Sequence, residues 1–175
     1  LGALAEDSER MGQLVARYSE WVLPYFQALA EANVPCAMVH DDLVWSSGPF
    51  VHPDWYRRFV LPSLRRCIAP VVESGKRVLF TADGNYTMFL GDLADCGVHG
   101  FVLEPLTDFE YTCLRFGQTH AIVGNVDTRI LLSGSAQAIQ AEVERCMNLG
   151  KVCPGFILAV GNHIPPNTPV DNCLI

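Results

Sequence analysis

Several common features are missing from this 175-residue sequence, and each absence excludes a class of function. Basic residues are few: 12 Lys and Arg against 19 Asp and Glu give a net charge of −7. This balance argues against binding to nucleic-acid backbones or to anionic membrane surfaces. No apolar run approaches the roughly 20 residues of a membrane span, and no signal peptide opens the chain. The composition therefore predicts a soluble, cytoplasmic protein.

Common cysteine and glycine motifs are also missing. The seven cysteines form no CxxC pair and no other metal-ligand spacing. They are expected to be reduced and to act mostly as small buried hydrophobic residues. No GxGxxG follows the first predicted strand, so dinucleotide binding has no support, and the chain has neither a Walker loop nor a nucleophile elbow.

What the sequence does contain is an alternation of apolar runs and helical segments. Half of its residues are hydrophobic, enough for one sizeable core in a single domain over residues 1–175. In the clearest unit, the apolar run Val78–Phe80 ends in the polar turn Thr81–Asn85, and the helical segment Tyr86–Cys96 follows. Five such strands are predicted to start near residues 36, 77, 100, 120 and 155. Repeated βα units require a parallel sheet, either doubly wound or part of a (β/α)₈ barrel.

The other helices are predicted from apolar residues at helical spacing. The first runs from a capping Ser8 to Ala32, and the second from Pro53 to about Val72. A short helix is expected near residues 108–116, and another from about residue 136 to 149, capped by Ser133-Gly134-Ser135.

Polar residues follow all five predicted strands. In both candidate architectures, ligands bind at the carboxyl ends of the strands. A single polar residue there is explained by a helix cap or a turn, but polar groups at all five ends predict a functional site. These ends carry His40, Asp41, Asp42, Thr81, Asp83, Asn85, Glu104, Asn125, Asp127, Asn162 and His163.

Three segments together resemble the uroporphyrinogen decarboxylase superfamily. The first spans residues 41–62 and matches that family's acidic strand end, its G-P-F loop and its P-x-x-Y-R-x-F-V-x-P helix. The second, Gly124–Asp127, is similar to the family's G-N-[LI]-D. The third, Gly161–Asn172, is similar to its closing G-H-G-I-x-P-x-T-P-x-E-N.

The resemblance implies a (β/α)₈ TIM-type barrel, of which this chain is a partial one with about five βα units. Its strands would be the fourth to the eighth. The absence of Met at Leu1, and the helix-like start Thr168–Asp171 near the end, also indicate a piece of something longer. Two unpaired edges predict association, with the first half on another chain or with a second copy in a homo-oligomer. The alternative is an open sheet that is stable alone.

The superfamily includes two chemistries, and the resemblance implies one of them. Decarboxylases bind a polycarboxylate tetrapyrrole without a metal, whereas methyltransferase relatives use zinc held by His-x-Cys and a further Cys. Thr81 and Asp83 stand where the methyltransferases carry that His and Cys. Glu104 stands where a remoter barrel relative, cobalamin-independent methionine synthase, has a glutamate ligand, and His163 lies in the final ligand region. The resemblance thus implies a site for Zn²⁺ or a similar divalent cation at Asp83, Glu104 and His163. Hydrogen-bonding carboxylates beside an ordered imidazole are the metal-free alternative.

The favoured function is methyl transfer to or from a small-molecule substrate, with a corrinoid, on a partner protein, implied as the methyl donor by resemblance alone. Acid/base, orienting or polarising roles are expected for Asp41, Asp42, Asp83 and His163. Two alternatives stay open. One is tetrapyrrole decarboxylation, for which Arg129 is the basic residue near these strand ends. The other is a non-catalytic half-barrel that self-associates. Substrate-binding roles are expected for Thr81, Asn85, Asn125, Asp127 and Asn162.

Overall fold

A five-stranded parallel sheet forms the centre of the computed structural model, which describes residues 6–45, 47–161 and 163–175. A short antiparallel pair, Val44–Trp45 and Gly48–Pro49, stands outside the main sheet. In chain order the strands are Cys36–His40 (β1), Val44–Trp45 (β2), Gly48–Pro49 (β3), Arg77–Thr81 (β4), Gly100–Leu103 (β5), Ala121–Val126 (β6) and Phe156–Val160 (β7).

The strand order distinguishes the two architectures that the sequence allowed. The main sheet runs β1-β4-β5-β6-β7, and every neighbouring pair is parallel. In a doubly wound sheet the order in which strands are added reverses at a switch point, whereas in a barrel each new strand is added beside the previous one. The strictly sequential order is that of a partial (β/α)₈ barrel, and the predicted fold class is confirmed.

Helices connect the strands. The predicted second helix consists of three consecutive segments: the helix Pro53–Trp55, a π-helical turn, and the helix Leu61–Glu73. The helices are Ser8–Glu31 (α1), Pro53–Trp55 (α2), Leu61–Glu73 (α3), Leu90–Cys96 (α4), Phe109–Phe116 (α5), Thr128–Ser133 (α6), Ala136–Gly150 (α7) and Val170–Cys173 (α8), with a π-helical turn at Tyr56–Val60 and a 3₁₀ turn at Thr87–Phe89. None of the helices in the described ranges is long and apolar enough to cross a membrane.

Helix ends correct the sequence prediction in two places. The cap of α1 is Asp7, not Ser8, because the Asp7 carboxylate accepts a hydrogen bond from the Arg10 N–H at 2.9 Å. The sequence also gave no sign of α6. Ser133 is the last residue of that helix, and Ser135 alone caps α7.

The core lies between the sheet and its helices. Phe80, Phe101 and Ile122 are register partners on adjacent strands and are completely buried. They belong to one apolar cluster with helix residues such as Leu93 and Ile139. Five of the seven free cysteines (67, 96, 113, 146 and 153) are buried as well, which confirms their predicted role as small hydrophobic residues.

Candidate functional site

The carboxyl ends of β1 and β4 bring three titratable side chains together. His40 is the register partner of Thr81, and the Asp41 N–H donates to the Thr81 carbonyl at 3.2 Å, so both strands end at the same level. The His40 Nε2 lies 3.5 Å from an Asp42 oxygen and 3.7 Å from an Asp83 oxygen. One ligand atom from each of His40, Asp42 and Asp83 falls within 4.8 Å of the others, a spacing that could hold a metal ion.

The turn after β4 holds two carboxylates in place through its backbone. The Asp83 N–H donates to Asp42 Oδ1 at 3.0 Å, and the Gly84 N–H donates to Glu104 Oε2 at 2.7 Å. The Thr107 hydroxyl donates to the Gly84 carbonyl at 2.9 Å. Three loops, which follow β1, β4 and β5, therefore fix one another at this turn.

Glycine is required at the centre of this turn. The φ of Gly84 is +80°, and a Cβ there would lie 3.0 Å from the Trp45 carbonyl oxygen. A side chain at this position would thus be strained and would press on β2.

Crowding of acidic groups governs the electrostatics of the site. Desolvation raises the pKa of Asp83, and the nearby Glu104 and Asp42 raise it further, while His40 and His163 oppose the shift. Desolvation and Asp42 likewise raise the pKa of Asp41, against His40. These two carboxyls hold a proton more readily than an isolated Asp, as a general acid must.

The pKa of a tyrosine beside this cluster, Tyr56, is also raised by desolvation and by a neighbouring carboxylate. Desolvation and the neighbouring Asp41 raise the pKa of Tyr56 to about 12. Tyr56 is buried, so it remains a neutral phenol at physiological pH.

The predicted metal ligands Asp83, Glu104 and His163 lie in one electrostatic neighbourhood, because both Glu104 and His163 act on the Asp83 charge. The predicted catalytic residues Asp41 and Asp42 lie beside them. Thr81 is buried at the end of β4. The predicted substrate-binding residue Asn162 lies outside the described residues.

Three other predicted substrate-binding residues are engaged in local structure. The Asn85 Oδ1 accepts from the Thr87 N–H at 3.1 Å and so closes its own turn. Asn125 is 1% exposed, and its Oδ1 accepts from Arg145 at 2.9 Å. Asp127 caps α6 and pairs with Arg129 at 2.6 Å, which lowers the Asp127 pKa. Their predicted contact with substrate stays a prediction.

His40 is the strand-end residue to which the sequence analysis assigned no catalytic, substrate-binding or metal-binding role. Its signal was present, since His40 directly precedes Asp41-Asp42 at a strand end. What the sequence did not reveal is that the imidazole turns toward Asp83, 43 residues later, through the pairing of β1 with β4.

Comparison with known proteins adds the evolutionary context. A family model described as Uroporphyrinogen decarboxylase (URO-D) matches residues 1–174. Uroporphyrinogen decarboxylases of Coxiella burnetii and Syntrophotalea carbinolica are each 29% identical over 164 residues, which cover 91% and 94% of this chain. The same alignments cover 44% and 46% of those relatives, so this chain spans less than half of their length.

A solved structure points to another branch of the same superfamily. A methyltransferase from Methanosarcina mazei matches 95% of this chain and 48% of its own, with a TM-score of 0.75 and 25% identity. The resemblance inferred from the three sequence segments is thus confirmed by a family model over nearly the whole chain and by the fold. This chain belongs to the uroporphyrinogen decarboxylase family.

Proposed function

We propose that this chain carries the acidic half of a methyltransferase site, in which a divalent cation and the surrounding carboxyls act on a small methyl-bearing substrate. The observation that carries the proposal is the convergence of His40, Asp42 and Asp83 on one point at the ends of β1 and β4. The likeness to the Methanosarcina mazei methyltransferase supports the same branch.

The side chains fit a cation by their chemistry. One imidazole and two carboxylates form a mixed nitrogen and oxygen donor set, which suits Zn²⁺, Mn²⁺ or Fe²⁺ better than thiolate-selective metals. Glu104 and His163 lie near enough to act on the Asp83 charge and complete the neighbourhood. When bound, the cation would supply Lewis acidity toward a heteroatom of the substrate.

The residues of this chain supply binding and a proton. In methyl transfer the bond between the methyl carbon and a heteroatom breaks, the electron pair stays on the heteroatom, and the methyl group passes to the acceptor. The heteroatom then needs a proton. Asp41, whose pKa is raised by desolvation and by Asp42, takes up a proton from water more readily than an ordinary carboxylate and is the proposed relay for it. A corrinoid held by a partner protein is the proposed acceptor in this direction, and in the reverse direction it is the methyl donor that the sequence resemblance implies.

Decarboxylation is the second candidate, because relatives named uroporphyrinogen decarboxylase are up to 29% identical to this chain. The local charge argues against it. A polycarboxylate substrate requires cations, preferably the forked guanidinium of Arg. The Arg129 guanidinium is already paired with Asp127, while the carboxylates of Asp42 and Asp83 converge at the strand ends and Asp42 acts on the neighbouring Asp41.

Metal binding tests the proposal directly. Isothermal titration of the chelator-treated chain with Zn²⁺ and Mn²⁺ should give one saturable site, weakened at least tenfold by His40→Ala. His52→Ala is the matched control, because His52 also lies 3.7 Å from an aspartate oxygen, that of Asp54, and among the described residues it belongs to no cluster of three such groups. Equal loss in both variants, or no saturable site in the unaltered chain, would refute the metal-dependent proposal.

A spectroscopic titration separates the two chemistries. We expect the absorption spectrum of hydroxocobalamin to shift on addition of the chain, and that of coproporphyrin to stay unchanged. Porphyrin binding without corrinoid binding would favour decarboxylation. Binding of neither ligand, together with no metal site, would leave a non-catalytic half-barrel.

A further inference from the structure

An apolar groove lies beside the candidate site, between α1, β1 and α3. Its volume is about 280 Å³. Its walls include Val22 and Phe26 of α1, Val39 of β1, and Leu64 of α3. His40 and Asp41, which directly follow Val39, line the same groove. The groove therefore shares His40 with the candidate metal cluster.

Three polar side chains in the groove walls are hydrogen-bonded within the protein. The Ser63 hydroxyl donates to the Phe59 carbonyl at 3.0 Å, and the Ser19 hydroxyl donates to the Ala16 carbonyl at 2.6 Å. The Cys67 thiol donates to the Ser19 carbonyl at 3.5 Å. The walls therefore offer a ligand mainly apolar surface, and the polar groups that it can meet are His40, Asp41 and the Tyr18 hydroxyl.

Charge limits what can bind at that polar end. Asp41 lines the groove and Asp42 and Asp83 lie just beyond His40, while no Lys or Arg lines the groove in the described part of the chain. The Arg66 guanidinium donates to the Ser19 hydroxyl of the wall and lies 3.9 Å from the Glu20 carboxylate, which offsets its charge. A carboxylate on a ligand would meet like charge, whereas an ether, thioether, hydroxyl or amine would not.

We propose that this groove binds the apolar body of the substrate, and that the substrate is a small molecule, about one aromatic ring in size, with a neutral or cationic polar end at His40 and Asp41. A cavity of about 150 Å³ lined by apolar side chains is enough to hold benzene, so the groove accommodates a substituted ring. The assignment of this ligand as the substrate rests on the proposed function; the groove as a binding site does not.

Three fluorinated probes test the proposal by fluorine NMR titration in the presence of a chelator. They are similar in size and differ in the charge of their polar end. The probes are para-fluoroanisole, para-fluorobenzylamine and para-fluorobenzoate. We expect saturable binding of the ether and the amine, and binding of the benzoate weaker by about tenfold or more. Asp41→Asn should reduce the preference for the amine over the benzoate. Equal affinity for all three probes, or no saturable binding, would overturn the proposal.

A filled groove provides the structural control. Val22→Phe places a larger side chain in the groove and should weaken para-fluoroanisole by about tenfold. Leu14→Phe is the matched control, because Leu14 lies on the same helix, is 58% exposed and does not line the groove. If Val22→Phe alters the circular dichroism spectrum, Phe26→Leu replaces it. That variant widens the groove and should bind fluoronaphthalene more tightly than the unaltered chain does. Unchanged probe affinity in a folded variant would place the probe elsewhere.

The outcomes are independent of the metal test because the probes are titrated without metal. Groove binding without a metal site would contradict the proposed function and retain the groove as a ligand site. A metal site without groove binding would contradict this inference alone.

Discussion

At the scale of single residues, two aspartates of this chain have opposite electrostatic settings. Asp83 lies among Glu104 and Asp42, and desolvation and these charges raise its pKa. Asp127 accepts hydrogen bonds from Arg129, and its pKa is lowered. A raised carboxyl pKa means that the folded state holds the proton more tightly than the unfolded chain, so ionisation at neutral pH costs stability. A lowered carboxyl pKa means that the folded state holds the proton less tightly than the unfolded chain, so ionisation at neutral pH adds stability.

The first prediction follows from this contrast. Asp83→Asn should raise Tm at pH 7.5 in chelator, by about 1–3 °C because the side chain is half exposed. The gain should shrink once the pH falls below the folded-state pKa, because Asp83 then becomes protonated and neutral like Asn, and it should be lost near the pKa of the unfolded chain. Thermal unfolding followed by circular dichroism from pH 7.5 to pH 4 measures this difference.

Asp127→Asn is the control of opposite sign. It should lower Tm at pH 7.5, because the ion pair with Arg129 is lost, and its effect should also vanish as the pH falls through the Asp127 pKa. Two variants that shift Tm in the same direction at pH 7.5 would contradict the electrostatic account of both residues.

The residue scale also shows where sequence reasoning reaches its limit. The sequence located Asp41, Asp42, Asp83 and Glu104 at strand ends, because buried runs followed by polar turns are visible without coordinates. It could not tell which way each side chain turns. Asn85 bonds to its own turn and Asn125 to Arg145, 20 residues away, and these are choices of local geometry and helix packing.

At the scale of elements, the turn between β4 and the 3₁₀ segment Thr87–Phe89 positions the site. Its central residue, Gly84, has a φ of +80° and lies against the Trp45 carbonyl of β2. Gly75, just before β4, has nearly the same φ of +82°, but a Cβ there would meet nothing within 4 Å. The two glycines therefore share a backbone conformation and differ in their surroundings.

The second prediction uses this pair of glycines to separate the cost of a positive φ from the cost of a steric clash. Gly75→Ala should lower the free energy of unfolding by about 1 kcal/mol, the cost of a positive φ for alanine. Gly84→Ala should cost about 2–4 kcal/mol, because the added methyl group also meets the β2 backbone. Urea denaturation measures both values. If the two variants lose the same stability, the contact between the turn and β2 does not matter.

The strands of the main sheet and most helices could be predicted, whereas the pair β2 and β3, helix α6 and the π-helical turn could not. Continuous apolar runs such as Val78–Phe80 are visible in the sequence, and the five strands lie within one residue of their predicted starts. The pair β2 and β3 has two residues in each strand, too few to show alternation. The π-helical turn Tyr56–Val60 keeps the apolar pattern of an ordinary helix and so left no separate signal in the sequence.

At the scale of the whole molecule, the face of the sheet turned away from the core is apolar and only partly covered. Leu79, Val102 and Val123 on the central strands are half-buried. Met38 on β1 and Ile157 on β7 are 60% and 57% exposed. In the main sheet β1 and β7 are also the outer strands, each with one unpaired edge. An apolar face between two open parallel edges favours association with another chain.

The last prediction is that the purified chain self-associates through this face. Sedimentation velocity should show a concentration-dependent increase in mass, and the double variant Met38→Lys with Ile157→Lys should remain monomeric. Lysine at these exposed positions is solvated in the monomer, but in an interface it would be desolvated without a partner. Leu114→Lys is the control, because Leu114 is 74% exposed on α5, outside the sheet, and its replacement should leave the association intact. If Leu114→Lys dissociates the assembly and the double variant does not, the contact lies on the helical side and the open sheet face is stable in water alone.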